Sequence, residues 1–258
     1  MLLTCLGSGT AALEPDRVCS GYLLETSGLR LLLDCGGGVV HSMARLGVDW
    51  QTPTHLVLTH FHNDHIGDVP LLFFAWKWGM RPPRTEPVIV IGPSGTRQLL
   101  RRMADIFGDH LSEPHFPLVV DEIEAGGERR LNDAVRLRAF KTPHTPESLA
   151  YRIDADSGSF CYTGDTGPST DLGVFARAVD ALLVECSLPD GEAIAMHLTP
   201  SQVAALARVA QPRRLLVTHV YPQLHRSHVP ALVLAAGSPV HAEMLQDGAR
   251  LEISPPRP

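Results

Sequence analysis

Lysine is almost missing from this chain: of 22 basic residues only Lys77 and Lys141 are lysines. The arginines are scattered, with short pairs at Arg101-Arg102, Arg129-Arg130 and Arg213-Arg214, and the net charge is −6. A protein that grips a long nucleic acid carries a basic stripe to neutralise phosphates. None is visible, so no extended nucleic-acid surface is expected. A small anionic substrate is not excluded, because metal ions can supply positive charge themselves. Cysteine is sparse as well. Cys5, Cys19, Cys35, Cys161 and Cys186 are odd in number and far apart. That argues against a disulfide framework and for a reducing compartment, so the cytoplasm is the expected location. No apolar run is long enough to span a bilayer, and Leu2 to Leu6 reads as a strand rather than part of a signal peptide. No membrane association is expected.

Linkers and low-complexity breaks are absent too. With 258 residues, 44% of them apolar and 19% charged, the chain reads as one soluble globular domain over 1–258. The Pro-rich tail, 254–258, is expected to fray. Strand-like runs occur at Leu2 to Leu6, Tyr22 to Glu25, Leu29 to Asp34, Leu56 to Leu58 and Val88 to Ile91. Others follow at Val135 to Phe140, Ala150 to Ile153, Phe160 to Thr163, Ala181 to Glu185 and Leu215 to Thr218. Helical periodicity fits Val39 to Leu46, Asp68 to Trp78, Ser94 to Phe107, Thr170 to Ala178 and Thr199 to Val209. Thr199-Pro200-Ser201-Gln202 combines a Thr cap, a first-turn Pro and a capping-box Gln.

Against this ordinary background, residues 60–65 stand out: His60-Phe61-His62-Asn63-Asp64-His65 places four metal-ligand types within six positions. His and Asp are costly to bury without partners, so packing alone does not explain that density. The run follows a short apolar strand, and ligands at a strand exit can converge on a point outside the sheet. Alternation along the chain would separate His60 and His62 from Asp64 and His65, letting one segment serve two neighbouring ions. Three further candidates lie at strand exits: His144 in Thr142-Pro143-His144-Thr145, Asp165 in Thr163-Gly164-Asp165-Thr166, and His219 after Leu215 to Thr218.

The set His60, His62, Asp64, His65, His144, Asp165 and His219 resembles the ligand set of the metallo-β-lactamase superfamily. Leu6-Gly7-Ser8-Gly9-Thr10 and Leu33-Asp34-Cys35-Gly36-Gly37-Gly38 resemble its first two motifs. The resemblance covers nearly the whole chain. It implies an α/β fold in four layers, an αβ/βα sandwich with two mixed β-sheets inside and helices outside. It further implies that His60, His62 and His144 hold one ion, that Asp64, His65 and His219 hold the second, and that Asp165 bridges them. Nitrogen and carboxylate ligands suit Zn2+, with Mn2+ or Fe as alternatives. Two ions about 3.5–4 Å apart can share a hydroxide nucleophile and polarise the scissile group, with Asp64 also orienting the attacking water. Redox members usually carry a carboxylate where this chain has His62, so hydrolysis is expected.

Glu185-Cys186-Ser187 followed by His197-Leu198-Thr199 resembles the phosphodiesterase branch of the superfamily, in particular its ribonuclease Z-like members. The resemblance makes His197 a catalytic residue that reaches the scissile phosphate from just before a helix start. Two departures speak against tRNA processing. Ala150 to Ile153 passes through Asp154 to Ser159 directly into the next strand, which leaves no long clamp arm. The loop after the first strand holds a single basic residue, Arg17. The expected activity is therefore a dinuclear phosphodiesterase acting on small or cyclic phosphodiesters. The alternatives are ribonuclease Z-like RNA processing, arylsulfatase, lactonase or β-lactamase activity, and last a non-catalytic member. A homodimer is compatible with the resemblance. Phe73-Phe74-Ala75-Trp76-Lys77-Trp78 reads either as an aromatic wall for substrate or as core or dimer packing. His225 and His228 read as exposed loop residues near the last ligand, and His41, His55, His110, His115 and His241 as structural or surface residues.

Overall fold

The computed structural model of the chain describes residues 1–79 and 81–255. In chain order the strands are β1 (Leu2–Gly7), β2 (Gly21–Thr26), β3 (Leu29–Leu33), β4 (His55–Val57), β5 (Val88–Gly92), β6 (Leu118–Glu122) and β7 (Glu128–Arg130). There follow β8 (Val135–Lys141), β9 (Leu149–Ala155), β10 (Gly158–Tyr162), β11 (Ala181–Glu185), β12 (Arg214–Thr218), β13 (Ala242–Met244) and β14 (Arg250–Glu252). They form two sheets, ordered β14-β1-β2-β3-β4-β5-β6 and β13-β12-β11-β10-β9-β8-β7. Each sheet is antiparallel in one half and parallel in the other. The β1–β2–β3 pairings are antiparallel and the β3–β4–β5–β6 pairings parallel. In the second sheet β7–β8–β9–β10 are antiparallel and β10–β11–β12–β13 parallel.

Parallel neighbours need long crossovers, and here helices supply them. Those of the first sheet are α1 (Val39–Arg45), α2 (Asn63–Ile66), α3 (Val69–Trp78) and α4 (Thr96–Phe107); those of the second are α5 (Thr170–Phe175), α6 (Pro200–Ala210) and α7 (Val229–Ala235). Strand alternation divides the apolar residues into layers. Leu3, Leu24, Leu31 and Val57 of the first sheet meet Leu137, Tyr151, Phe160 and Leu183 of the second in a shared core. Leu23, Leu32 and Leu56 face the opposite way, against Met43, Phe73 and Trp76. Leu182, Val184 and Leu215 pack on Val203, Leu206 and Val233 on the far side. This is the expected four-layer sandwich.

The strands expected from sequence agree with the observed ones to within two residues at each end. The short strands β7, β13 and β14 and the edge strand β6 escaped detection. Glu128-Arg129-Arg130 has no apolar residue to reveal a period, and Leu118–Glu122 is only partly buried on one flank. The helices α2 and α7, four and seven residues long, were also not expected. At α6 the expected capping box is present, with Thr199 N–H donating to Gln202 Oε1 at 3.0 Å. The turn after β9 is as tight as expected: Ala155 pairs with Gly158, leaving Asp156 and Ser157 as the connection. Within the tail, Ser254 O accepts a hydrogen bond from Arg213 Nη1 at 2.8 Å, and residues 256–258 lie outside the described residues. Among the described residues no helix is long and apolar enough to cross a membrane.

Phe160 is fully buried between the sheets. Phe160→Ala is expected to cost about 3–5 kcal/mol of stability through lost transfer energy and a residual cavity. Denaturant titration followed by circular dichroism should show a lower midpoint with an unchanged slope.

Candidate metal centre

Strand exits at one edge of the sandwich bring the sequence-identified residues together. His60 lies three residues beyond β4, His144 three beyond β8, Asp165 three beyond β10, and His219 directly follows β12. Potential ligand atoms of His60, His62, His144 and Asp165 lie within 4.8 Å of one another, as do those of Asp64, His65 and His219. Asp165 spans both groups: its Oδ2 is 3.8 Å from His60 Nε2 and 3.7 Å from His144 Nε2, and its Oδ1 is 3.3 Å from His65 Nε2 and 3.6 Å from His219 Nε2. His62 Nδ1 sits 3.0 Å from His144 Nε2, and His219 Nε2 lies 3.2 Å from Asp64 Oδ2. All seven residues meet, and a third group overlaps them, since potential ligand atoms of Asp165, His197 and His219 also lie within 4.8 Å of one another.

The cause of that grouping differs from the one read in the sequence. Alternation in an extended segment was expected to separate the ligands. Instead His62 caps the short helix α2, and one helical turn swings Asp64 and His65 toward the second group. A helix is possible there because Gly36 lets the backbone approach: a Cβ at that position would lie 2.0 Å from Asp64 O. Gly164, with φ 56°, makes room for Thr59 in the same way next to Asp165.

Electrostatics point to a cation. Nε2 of His60, Nε2 of His65 and Oδ1 of Asp165 are buried without a hydrogen-bond partner, an expensive arrangement unless a metal takes those lone pairs. The donor set fits such an ion. Burial and neighbouring imidazoles, His65 first among them, push His60 down to about 2, so it stays neutral and ligand-ready. Burial alone would raise Asp64, but the His219 hydrogen bond and the nearby His65 and His219 hold it at about 2. Asp165 is likewise held well below the carboxylate range, since His219 and His65 outweigh its burial.

Behind the ligands lies a layer of orienting groups. Asp34 is fully buried and accepts four hydrogen bonds: from Thr59 N (2.8 Å), Thr59 Oγ1 (2.8 Å), His65 Nδ1 (2.7 Å) and Tyr162 OH (2.9 Å). With Nδ1 donating to Asp34, His65 presents Nε2 to the site. Glu185, also buried, binds Thr166 N (2.7 Å), Leu198 N (3.1 Å), His197 Nδ1 (2.9 Å) and the Ser187 hydroxyl. Ser187 Oγ in turn accepts from His219 Nδ1 at 3.1 Å, which turns His219 Nε2 inward. His197 lies beside the cluster, its ring 4.9 Å from His144 and 5.9 Å from His219. The Glu185 carboxylate raises its pKa although burial opposes this.

Orienting roles for Asp34, Glu185 and Ser187 were not read from the sequence, where they stood only as members of the Leu33-to-Gly38 and Glu185-Cys186-Ser187 segments. The aromatic run divides: Phe73 and Trp76 are core, whereas Phe74 and Trp78 are exposed on the outer face of α3. His225 and His228 stack on each other at 4.8 Å on an exposed loop, outside the ligand cluster.

Residues 29–220 match the β-lactamase superfamily domain. The chain belongs to that superfamily. Among curated proteins it is 29% identical to ribonuclease Z of Mycobacterium bovis over 247 residues, covering 86% of each chain. Its fold is that of human tRNase Z, short form (TM-score 0.80, 24% identity, 98% and 99% of the two chains). It is also that of Zn2+-bound PqqB from Methylobacterium extorquens (TM-score 0.73, 17% identity, 97% and 99% covered). The superfamily is one of metal-dependent hydrolases, as the sequence resemblance implied.

Asp34→Ala would leave His65 Nδ1, Tyr162 OH and Thr59 unpaired. Its expected outcome is a roughly 10–100-fold loss of metal affinity, read by elemental analysis after dialysis against graded chelator. Metal retention equal to the parent would show that Asp34 does not orient His65.

Proposed function

We propose that the chain is a dinuclear zinc hydrolase of small or cyclic phosphodiesters, working in the cytoplasm. The observation that carries this reading is the convergence of seven ligand-type side chains, several with orphaned lone pairs, beside a histidine backed by a buried carboxylate. In this reading His60, His62 and His144 hold one ion, Asp64, His65 and His219 the other, and Asp165 joins them. When bound, the pair supplies Lewis acidity and lowers the pKa of water toward roughly 7. Imidazole and carboxylate without thiolate favour zinc, with manganese or iron as substitutes.

The chain's own residues do the rest. Asp64, whose Oδ2 lies 3.2 Å from His219 Nε2, has a second oxygen with which to orient the attacking water. His197 donates through Nδ1 to Glu185, which leaves Nε2 to protonate the departing oxygen. The raised pKa of His197 suits that task, because the imidazolium persists to higher pH. Glu185 holds the ring in place and stabilises its charge.

Small substrates are favoured by the surroundings. The Asp156–Ser157 turn leaves no arm to grip an RNA. Arg17, the sole base of the loop after β1, is buried against Glu14 and Ser8 O (3.3 Å). The second reading, ribonuclease Z-like RNA processing, is favoured by similarity to the mycobacterial enzyme. Sulfate esters, lactones and β-lactams come after both.

Turnover of bis(p-nitrophenyl) phosphate and of cyclic nucleotides, set beside cleavage of a tRNA precursor, decides between the readings. Hydrolysis of the small esters without precursor cleavage is expected, together with about two zinc ions per chain by elemental analysis. Precursor cleavage at a higher kcat/KM would make the second reading the right one. Asp64→Ala is expected to abolish turnover.

His197→Ala should lower kcat by roughly 10²–10⁴ while metal content stays near normal. If Glu185 acts only through His197, adding Glu185→Gln to His197→Ala costs nothing further in kcat. Loss of metal in the His197 variant would mean that His197 is a ligand rather than a proton donor.

A further inference from the structure

Leu6-Gly7-Ser8-Gly9-Thr10 takes no part in the chemistry above, yet the fold sets it against one of the clustered histidines. His219 N donates to Ser8 O at 3.2 Å. Of the seven clustered residues, His219 alone has a positive φ, 53°. Residues with a side chain seldom adopt that region, and they stay there where the surroundings over-determine them.

The turn 219–221 is fixed from two sides. On one, Ser187 Oγ lies 2.9 Å from His219 O, and Ser187 O accepts from Tyr221 N at 3.0 Å. On the other stands Arg17, whose side chain is only 1% exposed. Its Nη1 donates to Ser8 O (3.3 Å), its Nη2 to Val220 O, and its Nε to Glu14 Oε2 (2.7 Å). One planar guanidinium thus grips both the carbonyl that receives the His219 amide and the carbonyl just beyond His219.

Asp247 holds this loop in turn. Its buried carboxylate accepts from Ser8 N (2.8 Å), Ser8 Oγ (2.9 Å) and Val18 N (2.8 Å). Gly7 permits the close approach, since a Cβ there would lie 1.9 Å from Cys19 O. The segment also reaches the Asp64, His65 and His219 group a second time, where Ser20 N donates to Asp64 O at 3.1 Å. Among the described residues, none of the hydrogen bonds of residues 8–20 goes to His60, His62 or His144.

We propose that Arg17 is a positioning residue: it fixes the backbone of His219, so that the ion of the second group depends on it and the ion of the first does not. The ions rest on the dinuclear reading given above; the conformation of His219 does not. Removing Arg17 strands no carboxylate, because Glu14 keeps Arg226 at 3.6 Å.

Two measurements on the full-length chain test this. In the metal-free protein, the His219 amide of Arg17→Met is expected to exchange its hydrogen roughly tenfold faster than in the parent. The amides of β9 should keep the parental rate. Loaded with cobalt(II) and dialysed against graded chelator, Arg17→Met should release one ion roughly tenfold more readily and hold the other as the parent does. Absorption of the remaining cobalt should match that of His219→Ala carrying one cobalt. Arg17→Lys, which has no planar fork, should fall between Arg17→Met and the parent. A parental rate at the His219 amide, acceleration spread equally over β9, or parallel loss of both ions would each overturn the proposal. A parent that holds fewer than two ions overturns the dinuclear reading alone, and the exchange rate then decides the role of Arg17. If Arg17→Met does not fold, Arg17→Lys takes its place, and parental exchange at His219 in that variant overturns the proposal.

Discussion

A single buried carboxylate holds the working edge of this protein together. Asp34 ends the antiparallel half of the first sheet in a left-handed conformation, φ 56°, which Asp tolerates better than most residues. A charge there is affordable only because four donors surround it. They come from three places: the backbone and hydroxyl of Thr59 at the exit of β4, the imidazole of His65 on α2, and the phenol of Tyr162 at the end of β10. Tyr162 belongs to the second sheet, so Asp34 ties the two sheets at the edge where the ligands emerge. It also orients one imidazole of the cluster, that of His65. Position and orientation of the centre thus share one anchor.

The architecture around that anchor explains how distant residues converge. In both sheets the parallel half follows an antiparallel half, and parallel strands all end at the same edge. Their crossovers return through helices, so each strand exit can deliver one polar loop to the same place. His60, Asp165 and His219 follow β4, β10 and β12 in this way. His144 arrives on β8, an antiparallel strand, and needs its own support: its Nδ1 lies 2.9 Å from Met196 O, next to His197. The loops that carry His144 and His197 are thereby bound to one another.

What could be read from the chain follows from this layout. His and Asp at strand exits are conspicuous because nothing in ordinary packing asks for them, and the structure brings the seven singled out together. Their division into two groups was anticipated for the wrong reason, since a helical turn and not strand alternation separates His62 from Asp64 and His65. Asp34 and Glu185 escaped as orienting residues because a lone carboxylate after an apolar run is equally compatible with a solvated strand end; only their burial distinguishes them. His55 was read as structural or surface and is buried at the start of β4. Edge strands β6, β7, β13 and β14 carry little burial, and hydrophobic period is the signal by which strands are recognised.

Charge balance links the centre to the kind of molecule it would accept. On the proposed reading, Asp64 and Asp165 set two negative charges against the four of two divalent ions. The positive charge left by that pair would be confined to a small opening, since Arg17 is spent on Glu14. Outside it the chain carries a net charge of −6 with no basic stripe. A compact anion feels the local excess at short range. An extended polyanion must also lie along the acidic surface, where each further phosphate adds repulsion and releases no counterion from a matching base. On that reading the field would discriminate by substrate length as well as by charge, and the tight β9–β10 turn adds no clamp there.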